Sequence, residues 1–202
     1  MPSFEFEMRV CGTVAGIDEA GRGPLAGPVV AAAAAIDRAR ATQGLLRLID
    51  DSKRLNEAQR EAAFEAMIAS GCVRYAVADA TVEEIDRVNI LQATFLAMRR
   101  ALAALSERPD VVLIDGNKVP PGLGCLAECI VGGDARSYSI AAASIFAKVT
   151  RDRQMARLAE KFPGYGWESN RGYGSASHLE ALKQLGPTPH HRMSFAPLSR
   201  LL

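Results

Sequence analysis

Two acidic residues stand side by side at Asp18 and Glu19, directly after the short apolar run Val14 to Ile17. Asp115 follows a second apolar run, Val111 to Ile114, in the sequence I-D-G. Asp134 lies in G-G-D-A, after the run Leu126 to Val131 and just before helical sequence. In open α/β sheets ligands collect at the carboxyl ends of strands, so acids that close two separate strands point to a site. Taken singly, each acid also fits a cap or turn, which Asp favours. Taken together, they suggest a hard-cation site, because clustered carboxylates repel and need a divalent ion to hold them. Such ions activate a nucleophilic water and stabilise a leaving oxygen at a phosphodiester. Adjacent side chains of an extended chain point to opposite faces. Asp18 and Glu19 are therefore expected to share one ion region only if the chain turns there, and the glycines that follow supply that freedom.

Gly21-Arg22-Gly23-Pro24-Leu25-Ala26 fits a loose G-x-G-x-x-A pattern. A dinucleotide-binding turn is excluded by its proline and by the apolar strand that follows where a helix is required. Two readings stay open: a plain glycine turn, or a tight loop whose backbone approaches a ligand while Arg22 meets phosphate or a sugar edge. Lys53 and Arg54 precede a helix and read as phosphate contacts or as a solvated pair. Arg136, Lys148, Arg151, Arg153, Arg157, Lys161 and Arg171 outnumber Asp152, Glu160 and Glu168 in the same stretch, the one local basic excess, which suits a phosphate backbone or, almost equally, a solvated helix face. Tyr165, Trp167 and Tyr173 occupy a glycine-rich segment, either to stack on a sugar or base or to anchor the loop. His178, His190 and His191 have no metal-ligand spacing, and no P-loop or G-x-S-x-G elbow is present.

The elements that must carry these residues alternate. Strands are expected at Val14 to Ile17, Val29 to Ile36, Val73 to Ala80, Val111 to Ile114 and Leu126 to Val131, although the alanines of the second suit a helix equally well. Asn56 caps a helix through Ser70 that ends at Gly71, with Phe64, Met67 and Ile68 on one face. Thr81 and Glu84 form a capping box. A long helix then runs from Ile90 to Leu105, with Leu91, Phe95, Met98, Leu102 and Leu105 in one stripe, and Pro109 breaks it. Ser137 to Lys161 is helical, with Ile140, Ser144, Ala147 and Lys148 near one face; 163–174 is loop, and Ser177 to Leu185 a last helix. This is an α/β pattern with a mixed sheet in one domain, 1–202, whose helical C-terminal part spans about 137–202.

The bulk numbers agree with a domain that has a full core: 202 residues, 49% hydrophobic and 23% charged. A net charge of +1 leaves any nucleic-acid contact to a local patch. Cys11, Cys72, Cys125 and Cys129 form no C-x-x-C pair and read as buried free thiols of a reducing compartment. No stretch approaches the ~18 apolar residues of a membrane span, and the N-terminus lacks a signal peptide's apolar core. A cytoplasmic protein without a membrane role is expected.

Six motifs then carry a resemblance. G-I-D-E-A-G-R-G-P (Gly16 to Pro24), D-S-K-R-L (Asp51 to Leu55), L-I-D-G-N (Leu113 to Asn117), G-D-A-R-S-Y-S-I-A-A-A-S-I-F-A-K-V-T-R-D (Gly133 to Asp152), R-G-Y-G-S (Arg171 to Ser175) and G-P-T-P-H-H-R-M-S-F (Gly186 to Phe195) resemble ribonuclease HII, in order. The resemblance runs from about Val14 to Phe195. It implies a ribonuclease H-like fold, with a central mixed five-stranded sheet flanked by helices and a helical C-terminal part. It implies hydrolysis of the RNA strand of RNA/DNA hybrids, and cutting 5′ of single ribonucleotides in duplex DNA, leaving 3′-hydroxyl and 5′-phosphate ends.

The family's metal-binding acids fall on Asp18, Glu19, Asp115 and Asp134, with two Mg2+ or Mn2+ ions implied when substrate is bound. Its ribose-sensing loop falls on Gly21, Arg22 and Gly23, its ribose-packing tyrosine on Tyr173, and its phosphate-side lysine on Lys53. Ser144 and Lys148 match the A-S-x-x-A-K stretch as substrate-binding positions. A monomer is implied. With no evident extra N-terminal nucleic-acid-binding domain or C-terminal extension, a bacterial member is expected rather than the HIII type. Two rivals stand beside this reading: a silent binder of RNA/DNA hybrids, opposed by the intact acids, and a carboxylate-metal nuclease without a ribonucleotide requirement, opposed by the G-R-G loop and Tyr173.

Overall fold

The computed structural model describes residues 1–200. In chain order its elements are α1 (Glu5–Met8), β1 (Val14–Ala20), β2 (Val29–Ile36), α2 (Gln43–Leu46), α3 (Glu57–Ser70), β3 (Val73–Ala80), α4 (Val82–Val88), α5 (Ile90–Ala103), β4 (Val111–Asp115), β5 (Leu126–Ile130), α6 (Tyr138–Lys161), α7 (Trp167–Asn170) and α8 (Ala176–Leu185), with 3₁₀ turns at Gly133–Ala135 and Leu198–Arg200. The strands form one mixed sheet in the order β3-β2-β1-β4-β5. β2 lies antiparallel to both β1 and β3, whereas β1–β4 and β4–β5 are parallel. β1 is thus the central strand. Its register pairs Ile17 with Ile114, which brings Asp18 level with Asp115 at the carboxyl ends of parallel neighbours.

The alanine run is a strand because both of its faces are covered. Ala32 and Ala34 pack with α3 and α6, while Ala31, Ala33 and Ala35 pack with α5. Side chains this small let a helix lie close on each side, and burial on two faces overrides the helical propensity of alanine. The same requirement acts on β1. A Cβ placed on Gly16 would stand 2.2 Å from the Ile140 backbone nitrogen, so α6 crosses β1 at a distance that only glycine allows. α6 also joins two cores. Ile140 to Val149 pack over the sheet, and Met155 packs with Tyr165, Trp167 and Leu182 of the C-terminal helices.

Several boundaries differ from the sequence expectation. β1 extends through Ala20, because its antiparallel pairing with β2 continues to Ala20–Val30 after β4 has ended. Helical sequence after Thr81 is interrupted at Asn89, whose φ is +70° and whose side chain accepts from the Leu91 and Gln92 amides to cap α5. α5 stops at Ala103, well before Pro109. Ile68 is exposed, while Phe64 and Met67 are buried. Of the cysteines only Cys72 is buried, and all four are free. The short helices α1, α2 and α7 were not expected, since four residues are too few to show a helical period.

Gly16→Ala drives a methyl group into backbone that cannot rotate away. A loss of about 3 kcal/mol, the upper end for overpacking, corresponds to roughly 6–12 °C in Tm for a chain of this size. Thermal unfolding of the variant against the wild type measures it.

Candidate active site

One carboxylate oxygen from each of Asp18, Asp115 and Asp134 lies within 4.8 Å of the others. Strand periodicity explains two of them. Gly16 faces α6, so Asp18, two residues on, faces the same way. Leu113 packs on Ile140 of α6, and Asp115 follows by the same step. Asp134 arrives on the 3₁₀ turn that leads into α6, and that turn also grips Asp115, since the Gly133 amide donates to Asp115 Oδ1 at 2.7 Å.

Glu19 stands apart from this trio. The chain does not turn at Asp18-Glu19; both residues lie inside β1. Pairing with β4 stops at Ile17, so Glu19 borders the site from the open edge, where its Oε1 accepts from Arg22 Nη1 at 3.1 Å.

The acids open into a cavity of about 290 Å³. Its wall includes Asp18, Glu19, Gly21, Arg22, Gly23, Lys53, Asp115, Ser144, Lys148 and Tyr173, so nearly every residue singled out in the sequence meets there. Asp134 joins through Lys53, whose Nζ lies 2.7 Å from its Oδ2. Ser144 Oγ shares a 2.6 Å hydrogen bond with Ser52 Oγ, a residue of the D-S-K-R-L motif not singled out before. Lys148 is held by Asp152 at 2.7 Å. Burial pushes the Asp18 carboxyl well up, and Glu19 and Asp115 push it further. Burial likewise raises Glu19 against the opposing pull of Arg22, and raises Asp115 against the Gly133 amide. Lys53 is raised despite its partial burial, by its hydrogen bond to Asp134 and the surrounding acids. Oxygen-only donors with depressed acidity fit a hard divalent cation, whose charge would restore the ionised forms.

The loop beside the acids is held by two buried arginines that the sequence reading left without this role. Arg151 of α6 donates from Nε to Pro28 O, from Nη1 to Arg171 O and from Nη2 to Ala26 O, at 3.0–3.1 Å. Arg192 donates to the carbonyls of Gly27, Arg22 and Gly21. Burial pulls both guanidinium groups below their usual range. Gly21 has a φ of +94°, and a Cβ there would stand 2.0 Å from Arg151 Nε, so glycine is required for both conformation and space. The amides of Arg22 and Gly23 make no hydrogen bond among the described residues.

Of the three loop aromatics only Tyr173 is exposed; Tyr165 and Trp167 are buried and stack at 5.2 Å. Tyr173 faces Gly23, where an added Cβ would stand 3.6 Å from its Cε1. Two histidines fix its backbone. His178 Nδ1 lies 2.8 Å from Tyr173 O, and His178 Nε2 accepts from Trp167 Nε1 at 3.1 Å. His191 Nδ1 accepts from the Thr188 amide, which leaves its Nε2–H, 3.1 Å from His178 Nε2, to share that atom's single lone pair with the Trp167 indole. Every ring nitrogen is thus used in the neutral form.

The expected basic face is divided. Arg151 is buried, Arg153 pairs with Glu61 and Glu65, and Arg171 with Glu57. Those acids belong to α3, far from the stretch in which charge was counted.

Comparison with known proteins identifies relatives of the chain. Residues 15–198 match the family model for Ribonuclease HII. The chain is similar to ribonuclease HII of Paramagnetospirillum magneticum, 56% identical over 202 residues, covering all of this chain and 99% of the relative. Among solved structures it is similar to the ribonuclease H2 of Pyrococcus horikoshii OT3, with a TM-score of 0.76, 32% identity, and 94% and 96% of the two chains covered. The fold is also that of Bst ribonuclease HIII, solved in complex with Mn2+, at a TM-score of 0.71 and 22% identity, over 93% of this chain and 68% of the other.

Two outcomes follow from the charges. The raised Asp18 carboxyl stabilises the fold while protonated, and that stability is lost as pH rises through the raised value. Asp18→Asn therefore raises metal-free stability at neutral pH, seen as a higher Tm, and it removes most of the Tm increase that Mg2+ or Mn2+ gives the wild type; calorimetry with and without metal reads both. His191 is pulled down to about 4, first by burial and then by His178. Its contribution is complete above about pH 6.5, the ordinary histidine value, and is lost as pH falls toward 4. A Tm profile across that window should fall less steeply in His191→Gln.

Proposed function

The chain belongs to the ribonuclease HII family, and we infer that this cavity cuts the RNA strand of RNA/DNA hybrids and cuts 5′ of single ribonucleotides embedded in duplex DNA. The enzyme is a ribonuclease H, a metal-dependent nuclease. The observation that supports the finer reading is the meeting, in one cavity, of the carboxylate trio with the Gly21–Gly23 loop and Tyr173.

In this reading Asp18, Glu19, Asp115 and Asp134 hold two divalent ions, Mg2+ or Mn2+. When bound, such ions supply an activated water and a stabilised 3′ leaving oxygen, giving 3′-hydroxyl and 5′-phosphate ends. The chain's own groups do the selecting. Arg151 and Arg192 occupy the loop carbonyls, so the free amides of Arg22 and Gly23 are the groups left to meet a 2′-hydroxyl. Tyr173 packs against the same sugar from across the cavity. A deoxynucleotide would leave those polar groups unpaired, which costs several kcal/mol in discrimination. Lys53 exchanges between Asp134 and a substrate phosphate, with Ser144 and Lys148 supporting the same wall. The reading takes residues 1–202 as one catalytic domain acting as a cytoplasmic monomer. Among the described residues no helix is long and apolar enough to cross a membrane.

Cleavage of a labelled DNA duplex with one internal ribonucleotide, beside an all-DNA duplex, tests this. Metal-dependent cutting is expected only at the ribonucleotide, on its 5′ side, and is abolished in Asp18→Asn. Tyr173→Ala should lower kcat/KM roughly 10-fold, the loss of one stacking contact. Cutting of both duplexes would remove the sugar-sensing role; binding without metal-dependent cutting would leave a silent binder.

A further inference from the structure

The N-terminal segment lies before Val14, where the motif resemblance begins, and it contains a buried carboxylate that the mechanism does not use. Glu7 is 2% exposed. Its Oε1 accepts from Ser137 Oγ at 2.7 Å and from the Ser139 amide at 3.0 Å, and its Oε2 has no partner among the described residues.

Those contacts fall on the turn that delivers the site. Ser137 caps α6 by accepting from the Ile140 amide, and its own amide donates to Gly133 O at 2.8 Å. The Ser3 amide donates to Arg136 O, and the Tyr138 amide donates to Ser3 O. The Arg136 guanidinium lies 4.9 Å from the centre of the Phe6 ring. The Gly133–Ser137 turn is therefore fixed to residues 3–7 along its whole C-terminal side. Its other side carries Asp134 and the Gly133 amide that orients Asp115.

We propose that Glu7 is a positioning residue: through Ser137 it sets the turn that presents Asp134, and by way of Gly133 also Asp115, to the divalent ion. The inference rests on the metal reading of the carboxylate trio. Groups in direct contact with a metal ligand typically contribute 10–100-fold in metal affinity or activity; Glu7 acts further back, through Ser137 and the turn, so the low end of that range is expected.

Mn2+ binding followed by electron paramagnetic resonance, together with the Mn2+ dependence of cleavage, tests it. Glu7→Ala should weaken Mn2+ binding roughly 10-fold and raise the half-saturating Mn2+ concentration to match, with kcat at saturating Mn2+ changed less than about threefold. Glu7→Gln keeps an oxygen that accepts from Ser137 and Ser139, and should stay within about threefold of wild type. Ser137→Ala should weaken Mn2+ binding as Glu7→Ala does, and the double variant should be no weaker than either, since both break one link. Leu182→Ala, in the C-terminal core, should lower Tm without moving Mn2+ affinity. Wild-type Mn2+ affinity in Glu7→Ala or, should that variant fail to fold, in Ser137→Ala would overturn the positioning role. Wild-type binding that ignores Asp134→Asn would overturn the metal reading itself, and this inference with it, and so separates the two failures.

Discussion

Three carboxylates within 4.8 Å of one another repel, and the rest of the structure is arranged around bearing that repulsion. The acids come from three separate places: the central strand, its parallel neighbour and the turn into α6. No local sequence could hold them together. What does so is packing: β1 and β4 are locked in register, and α6 presses on β1 closely enough to require glycine at position 16. Lys53 offsets part of the charge from outside, and burial leaves the remainder as acids that ionise reluctantly. On the proposed reading, this is stability given up in favour of a divalent cation, the ordinary relation between a perturbed site and its ligand.

The loop opposite is arranged the other way. The carbonyls of Gly21, Arg22, Ala26, Gly27 and Pro28 are taken by two buried guanidinium groups, neither of which has a salt-bridge partner among the described residues. Planar guanidinium groups can collect several carbonyls in a fixed geometry, and here they hold the loop rigid while leaving its amides available. The histidine pair does the same for the Tyr173 backbone from behind. The polar groups that shape this wall are therefore mostly engaged already, and the amides of Arg22 and Gly23 are left without a hydrogen bond among the described residues.

How much of this was legible in the sequence depended on how local each signal was. Strand positions and the capped helices follow from short patterns and stand within a few residues of where those patterns put them; Asp115 closes its strand as expected, whereas Asp18 and Glu19 lie inside β1. The resemblance to ribonuclease HII then grouped the residues that meet in the cavity. What escaped was long-range. The partners of Arg153 and Arg171 lie in α3, so counting charge within one stretch overstated a basic face that pairing partly neutralises. Arg151 looked like a surface charge because its acceptors are carbonyls, which are the same at every residue and leave no trace in side-chain identity. Glu19 was expected to need a turn to reach the site, but the early end of β4 opens the sheet edge instead.

The hydrogen bonds from Arg192 to the carbonyls of Gly21 and Arg22 span about 170 residues of chain. Contacts this distant in sequence close long loops and carry a correspondingly large chain-entropy cost. The shape of the Gly21–Gly23 loop is thus held by a residue at the far end of the described fold rather than by its own neighbours in sequence. A disturbance around Arg192 is therefore transmitted to the cavity wall, so the packing of the C-terminal part and the geometry of the loop cannot vary independently.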